Sequence, residues 1–171
     1  MKNNKISKAG FLLAVSNMAK ARSFYETVME QKALNEFGDD TIEYESGFAL
    51  QLNYAGILAG TKDFAPHPTG AKLEVKPKSN SCQLAFEVED LDYWVERIKS
   101  TEGIELVHDV AVYNWGQRVI RFYDYDGHIV ELGEDLAVVV KRFLAQGLSV
   151  EEIVERFEVP LEFIQELLSA E

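Results

Sequence analysis

Residues 124–132 read Asp-Tyr-Asp-Gly-His-Ile-Val-Glu-Leu, a pattern that predicts a tight turn leading into a short strand. Aspartate favours such a turn because its side chain bonds nearby backbone, and Gly127 accepts a positive φ. In the strand, Val130 and Leu132 share one face, while Ile129 and Glu131 share the other. Glu131 is therefore either a site residue on a sheet face or an edge residue turned to water.

The pattern around this turn occurs twice in the chain. Residues 47–52 (Gly-Phe-Ala-Leu-Gln-Leu) align with residues 127–132, so Gln51 corresponds to Glu131. Residues 15–18 (Val-Ser-Asn-Met) align in the same way with residues 88–91 (Val-Glu-Asp-Leu). Self-similarity of this kind indicates duplicated units, each of which would expose apolar surface by itself. We interpret the chain as two β-α-β-β-β modules.

Hydrophobic periodicity predicts the same elements in each module. In the first, Ser16 and Asn17 offer a helix N-cap, and apolar residues then recur at helical spacing for about three turns. In the second, Asp90 caps a helix whose apolar residues 91, 94, 95 and 98 share one face. Strands are predicted at residues 11–15, 32–37, 41–45 and 48–53, and again at residues 83–88, 104–108, 110–113 and 117–123.

The pattern changes between and after the modules. The linker contains three of the four prolines and indicates irregular structure, with one short strand at residues 72–75. The C-terminal segment shows three amphipathic helical stripes, the second opened by a capping box at Ser149 and the third by Pro160. The predicted segments are a first module at 9–54, a linker at 55–80, a second module at 81–134 and a three-helix extension at 135–171.

Composition restricts the functional classes. The chain has 171 residues, 47% of them hydrophobic and 27% charged, which is usual for a globular protein. Its net charge of −12 argues against nonspecific binding to nucleic acid or to an anionic membrane. No apolar run approaches the roughly 18 residues that span a bilayer. The apolar stretch after the basic start is too short for a signal peptide, so we expect a cytoplasmic protein.

Cysteine and histidine contribute little to the predicted chemistry. The single cysteine, Cys82, excludes an internal disulfide, and its apolar strand environment favours a buried, inert thiol. His67 lies between two linker prolines, and His108 falls at a predicted strand end. His128 precedes Glu131 by three residues and so belongs to the opposite strand face.

The modules resemble those of the vicinal oxygen chelate superfamily, which includes glyoxalase I, extradiol dioxygenases and the fosfomycin- and bleomycin-resistance proteins. The likeness covers about residues 9–134 and includes a turn close to the family's Asp-Pro-Asp-Gly-Asn/His, with Tyr125 in place of proline. It implies an α+β fold in which two βαβββ modules form a curved mixed sheet around a cup, here followed by C-terminal helices. The other matching segments are residues 14–17, 23–25, 86–91 and 115–118.

The resemblance also implies where a metal ion would be held. Metal-binding members carry one ligand on the first and last strand of each module, at the positions of Gly10, Gln51, Gln83 and Glu131. Glycine has no side-chain donor and glutamine is neutral, whereas a divalent ion prefers several carboxylates or imidazoles. We therefore expect no tightly held metal cofactor. If a divalent metal binds, Gln83 and Glu131 are the expected ligands.

Strand alternation predicts which other side chains face the cup. If Gln51, Gln83 and Glu131 do so, Asn53 shares their face. In the strand at residues 117–123, the apolar Ile120 and Phe122 are expected in the core, which turns the odd-numbered residues towards the cup. The cup-facing set then mixes small, aromatic and polar residues, as small-molecule sites do. The predicted ligand-binding residues are Gln51, Asn53, Gln83, Trp115, Gln117, Arg121 and Tyr123.

Each candidate also has a purely structural interpretation. Glu131 could be a general base or an anchor for a cationic ligand, or it could form a salt bridge with Arg121 on the sheet. Gln51 and Gln83 could bind a ligand, or merely satisfy each other or a water. Trp115 could be a rim aromatic that packs on the linker or on a partner subunit.

Two functional hypotheses follow from these residues, and a third from the tail. The first is a glyoxalase/bleomycin-resistance-like protein, expected as a homodimer, that binds a small organic molecule in the cup without a tightly held metal. The alternative is a metal-dependent lyase, isomerase or dioxygenase that resembles glyoxalase I. The tail superficially resembles a helix-turn-helix, but residues 135–171 carry eight acidic and three basic side chains, a net charge of −5 that opposes DNA binding.

Overall fold

The computed structural model describes residues 9–52, 54 and 76–169, and the chain divides into two compact units. The first unit runs to Ser79 and also includes residues 124–128, and the second comprises residues 80–123 and 129–171. Each unit holds one four-stranded mixed sheet, and helices follow the second sheet. The predicted α+β class, with two βαβββ-like modules and C-terminal helices, is confirmed.

The first sheet is mixed, because its first and last strands pair in parallel and its other neighbours pair antiparallel. Its core holds Leu13, Ile42, Tyr44 and Leu50, all of them buried. The strands are β1 (Phe11–Val15), β2 (Ala33–Phe37), β3 (Thr41–Tyr44) and β4 (Phe48–Leu52), in the order β1-β4-β3-β2.

The helix of the first unit begins as predicted and then widens. Asn17 caps it by accepting a hydrogen bond from the backbone N–H of Lys20 at 2.9 Å. The α-helix α1 (Met18–Arg22) continues as a π-helical segment, Ser23–Val28. The π-helical segment was not predicted, and within it the adjacent rings of Phe24 and Tyr25 are both fully buried.

The second sheet repeats this arrangement. Its helix α2 (Leu91–Ser100) is capped by Asp90, whose carboxylate accepts a hydrogen bond from the Tyr93 N–H at 3.0 Å, as the sequence predicted. Ile120 and Phe122 are fully buried, which confirms their assignment to the core. The strands are β5 (Gln83–Val88), β6 (Glu105–Val112), β7 (Arg118–Tyr123) and β8 (Ile129–Glu134), in the order β5-β8-β7-β6.

Strand β6 differs from the prediction. The sequence predicted two short strands divided at Asp109, whereas the structure has a single strand whose pairing with β7 shifts register on both sides of His108. The Asp109 carboxylate accepts a hydrogen bond from the Val110 N–H at 2.7 Å and forms an ion pair with Lys99 at 2.6 Å. These contacts satisfy the aspartate inside the strand, so it produces an irregular register and not a chain break.

The three C-terminal helices form as predicted and enclose a small core of their own. Ser149 and Glu152 make the predicted capping box, in which each side chain bonds the other residue's backbone N–H. The buried core residues are Val139, Val140, Phe143, Ile153 and Ile164. The helices are α3 (Leu136–Ala145), α4 (Val150–Phe157) and α5 (Leu161–Ser169).

Three further predictions have different outcomes. The buried thiol is wrong: Cys82 is exposed, because it precedes β5 and lies outside the sheet. Asn53, His67 and the strand predicted at residues 72–75 lie outside the described residues. None of the described helices is long and apolar enough to cross a membrane.

Candidate functional site

Three neighbouring strands of the second sheet bring polar side chains together. The register places Arg121 of β7 and Ala85 of β5 on either side of Glu131 of β8. Gln83 precedes Ala85 by two residues and therefore projects from the same face. Gln83, Glu131 and Arg121 thus form a polar row across β5, β8 and β7.

The guanidinium group of Arg121 is the centre of this row. Its Nε donates to Gln83 Oε1 at 3.1 Å, and its Nη1 donates to His108 Nε2 at 3.0 Å. Its Nη2 contacts both the Tyr113 hydroxyl and Glu131 Oε2. Because these partners approach from several sides, they hold the planar fork of donors in one orientation. We call these five residues the Arg121 cluster.

In its contacts with other described residues, Glu131 accepts on a single oxygen. Besides the ion pair with Arg121, its Oε2 accepts hydrogen bonds from the Tyr113 hydroxyl at 3.2 Å and from Gln83 Nε2 at 3.3 Å. The salt bridge weighed as an alternative is therefore present. Within the described part of the chain, Oε1 is the oxygen left to accept a hydrogen bond from a ligand. The side chain is 14% exposed, so solvent reaches it.

His108 belongs to the cluster although the sequence did not predict it. Its Nδ1 lies 2.7 Å from the backbone carbonyl oxygen of Asp109, which can only accept a hydrogen bond. Its Nε2 faces Nη1 of Arg121, which can only donate. Both contacts are satisfied by the neutral Nδ1–H tautomer, in which Nε2 is the acceptor.

Tyr113 and Trp115 form an aromatic wall beside the cluster. Their rings stack at a centroid distance of 4.3 Å with an interplanar angle of 23°. Both lie in the turn that joins β6 to β7, which the Gly116 N–H closes by donating to the Tyr113 carbonyl oxygen at 2.8 Å. Tyr113 was not predicted as a site residue, since the expected end of the strand gave no indication that its hydroxyl reaches Glu131.

The other two predicted residues of the second unit form hydrogen bonds with residues outside the Arg121 cluster. The Gln117 amide is buried, accepts a hydrogen bond from Trp115 Nε1 at 3.1 Å and donates one to the Glu134 carbonyl oxygen at 2.8 Å. The Tyr123 hydroxyl donates to Asn80 Oδ1 at 2.9 Å. Gln117, just before β7, thus holds the Trp115 ring of the aromatic wall, and Tyr123 is the last residue of β7.

Gln51, in the first unit, has its amide fully engaged. Its Oε1 accepts a hydrogen bond from the Thr41 hydroxyl at 2.8 Å. Its Nε2 donates to the carbonyl oxygens of Asp40 and Leu52, each at 3.0 Å. These bonds satisfy a buried amide within its own sheet, so a ligand role for Gln51 stays a prediction without support from its contacts.

The residues at the family's metal positions do not fit a divalent ion. Gly10 supplies no side chain, and the Gln51 amide is engaged as described. Gln83 and Glu131 are adjacent, but Arg121 contacts both Gln83 Oε1 and Glu131 Oε2, and its positive charge opposes a metal ion at the remaining Glu131 oxygen. Among the described residues, no group of three His, Cys, Asp or Glu side chains is placed to hold a metal ion.

A second polar centre lies in the first unit, at the turn of residues 124–128. The buried Asp124 carboxylate accepts hydrogen bonds from the Tyr25 hydroxyl and His128 Nδ1, each at 2.8 Å on the same oxygen. Its other oxygen accepts from the backbone N–H groups of Asp126 and His128. Four donors thus fix one carboxylate inside a tight turn.

This environment shifts the titration of both charged groups. Burial alone would raise the pKa of Asp124, but the hydrogen bond and charge of His128 outweigh it and lower that pKa below its usual value. Burial alone would lower the pKa of His128, but the hydrogen bond and charge of Asp124 raise it. Burial and the adjacent Asp124 also raise the pKa of Tyr25. The turn therefore favours a charged Asp124–His128 pair.

Comparison with known proteins places this architecture in a family. The model of the glyoxalase-like domain family matches residues 9–137, three quarters of the chain. The chain belongs to this family. The predicted vicinal oxygen chelate superfamily is thereby confirmed, and the fold of this glyoxalase-like protein implies small-molecule binding.

Three proteins illustrate what this chain is similar to. Fosfomycin resistance protein FosX of Listeria innocua is 29% identical over 120 residues, which cover 70% of this chain and 83% of that protein. A solved structure of a protein of unknown function from Agrobacterium tumefaciens C58 is 27% identical, with a TM-score of 0.61 over 78% of this chain and 98% of its own. Lactoylglutathione lyase from the same species, at 20% identity and a TM-score of 0.54 over 78% of this chain and 96% of its own, shares the fold alone.

Proposed function

We propose that this glyoxalase-like protein binds a small polar organic molecule at the Arg121 cluster without a metal ion. The observation that carries the proposal is the position of the guanidinium group, which contacts Glu131 Oε2 and Gln83 Oε1. In metal-using relatives the positions of these two residues supply ligands to a cation. Here a fixed cation of the protein contacts one oxygen of each residue, and a divalent ion at either side chain would meet its charge.

The contacts of the cluster indicate what such a molecule carries. Glu131 Oε1 would accept a hydrogen bond from a hydroxyl, amine or amide group of the ligand. The stacked rings of Tyr113 and Trp115 would provide an apolar surface next to that anchor. An apolar wall with a few directed polar groups is the usual composition of a small-molecule site.

The relatives supply the first compounds to examine. Fosfomycin is suggested by the fosfomycin resistance protein FosX, and S-lactoylglutathione by the lactoylglutathione lyase. Bleomycin is suggested by the resistance proteins that the sequence resembles. Binding without a metal favours a protein that sequesters its ligand over a metal-dependent lyase, isomerase or dioxygenase. This preference for a ligand-sequestering protein rests on the side chains available to bind a metal ion. It does not rest on the fold, because one fold hosts many functions.

A fluorescence titration tests the proposal. Trp115 is the only tryptophan left in a Trp94→Phe background, so its emission reports binding of these compounds in the presence of EDTA. We expect Arg121→Met to weaken binding by about tenfold or more, because it removes charge-assisted hydrogen bonds that order the site. Arg97→Met, on helix α2, is the matched control and should bind as the parent does.

Two results would contradict the proposal. The first is binding that appears only after a divalent ion is added, which would favour the metal-dependent alternative. The second is equal affinity in the parent and in Arg121→Met, which would show that the cluster does not form the site.

A further inference from the structure

The C-terminal helices contact the turn that carries the aromatic wall of the site. Residues 138–169 lie beyond the family match, which ends at residue 137. Helix α3 nevertheless directs two adjacent side chains, Arg142 and Phe143, at Gly116. Gly116 is the last residue of the Tyr113–Gly116 turn.

Phe143 is packed closely against the glycine. A Cβ built on Gly116 would lie 2.3 Å from Phe143 Cζ, so the ring occupies the place of a side chain. Phe143 also makes an edge contact with Phe157 of α4, and the Arg156 guanidinium lies 4.6 Å above its ring. The Phe143 ring is therefore held by the core of the C-terminal helices, and the same ring packs against Gly116 of the turn.

Arg142 bridges the turn to the end of the sheet. Its Nη2 donates to the Gly116 carbonyl oxygen at 2.7 Å, and its Nη1 pairs with Glu134 Oε1 at 2.5 Å. Glu134 is 1% exposed, and Arg118 pairs with the same carboxylate at 2.9 Å. The Glu134 backbone carbonyl also accepts the hydrogen bond from Gln117, which in turn accepts from Trp115. The turn is thus fixed on both sides of Gly116.

From these contacts we infer that the C-terminal helices are a positioning element for the ligand site, acting through Arg142 and Phe143 on the Tyr113–Gly116 turn. Arg142 and Phe143 act indirectly. They hold the turn, and the Tyr113 hydroxyl and the Trp115 ring of that turn are the groups that meet the ligand. The inference rests on the proposed function, since it assigns the turn to the ligand site. The C-terminal extension then acts within the chain. A helix-turn-helix, which its sequence superficially resembles, would instead bind DNA.

The test compares neighbouring residues of helix α3 in full-length protein that keeps Trp115 as its sole tryptophan. We expect Arg142→Ala to increase acrylamide quenching of Trp115 and to reduce the near-ultraviolet circular dichroism of the Tyr113–Trp115 stack. Far-ultraviolet circular dichroism should stay unchanged, because the helices remain folded. Lys141→Ala, at an exposed position, is the matched control and should match the parent in all three signals.

Arg142→Lys separates positioning from simple stabilisation. A lysine keeps a positive charge beside Glu134, but its single ammonium group cannot bridge Glu134 and the Gly116 carbonyl as the forked guanidinium does. We expect this variant to unfold near the parent temperature and still to show the altered Trp115 signals. It also keeps the test decisive if Arg142→Ala does not fold.

The inference is overturned if Trp115 quenching and the near-ultraviolet signal are unchanged in Arg142→Lys. It is equally overturned if the Lys141→Ala control changes them as much as Arg142→Ala does. Because no ligand is used, these outcomes are independent of the titrations that test the proposed function.

Discussion

At the scale of single residues, the neighbour of Glu131 changes what this carboxylate can do. Strand alternation placed Gln83, Arg121 and Glu131 on one face, and their mutual contacts agree with that placement. Alternation cannot say whether a carboxylate is open to a metal or paired with a guanidinium, because that depends on side-chain conformation. The pairing with Arg121 is the contact that supports the proposal of direct, metal-free ligand binding.

The Asp124–His128 pair gives a pH-dependent prediction at the same scale. The folded-state pKa of His128 is raised, so its contribution to stability is complete below its ordinary value near 6.5 and is lost as pH rises through the raised value. The pKa of Asp124 is lowered, so its contribution is lost only as pH falls through that lowered value. We expect His128→Asn to cost about 1–3 kcal/mol in mildly acidic solution and less as pH rises above neutrality.

Urea denaturation at a series of pH values, on the parent and on His128→Asn, measures this difference in unfolding free energy. A difference that stays constant from pH 5 to pH 9, or that grows with pH, would show that the ion pair does not stabilise the turn.

At the scale of elements, the Tyr113–Gly116 turn depends on a glycine for two reasons that can be separated. Gly116 has a φ of +92°, and Phe143 occupies the space of its missing side chain. Gly147 also has a φ of +92°, but a Cβ there would meet nothing within 4 Å. Alanine at either position is strained in the backbone, and only at Gly116 does it also displace a ring.

We therefore expect Gly116→Ala to lower the free energy of unfolding by about 1–3 kcal/mol more than Gly147→Ala does, the added amount being the cost of overpacking against Phe143. Chemical denaturation of the two variants measures it. Equal losses would mean that the Phe143 contact contributes nothing beyond backbone strain.

The elements also show how far the sequence could predict the site. Repeats, caps and alternation predicted most strands and helices, because these signals are local. His108 was missed because it lies on the irregular strand β6, where two register shifts break the period-2 rule. Tyr113 was missed because it lies in the turn after that strand, where alternation gives no side-chain direction. The contacts of Arg142 with Gly116 join positions 26 residues apart and leave no periodic signal.

At the scale of the whole molecule, the chain combines a glyoxalase-like fold with C-terminal helices that extend beyond the family match. The family match ends at residue 137, and residues 135–171 contribute −5 of the chain's net charge of −12. That charge makes the extension unsuited to phosphate contacts, in agreement with a role inside the molecule. The homodimer expected from the sequence remains a prediction, and light scattering on the intact protein checks it.

We propose that the Arg121 guanidinium, which contacts Gln83 and Glu131, excludes a metal ion from these two side chains. Calorimetric titration of metal-free protein with Mn²⁺, Ni²⁺ and Zn²⁺ tests it most directly. We expect no stoichiometric micromolar site for any of the three ions, because a divalent ion at Glu131 would be repelled by the Arg121 guanidinium and would find few other anionic ligands. A stoichiometric site that Glu131→Gln abolishes would contradict it, since such a site would show that Glu131 binds a metal despite Arg121.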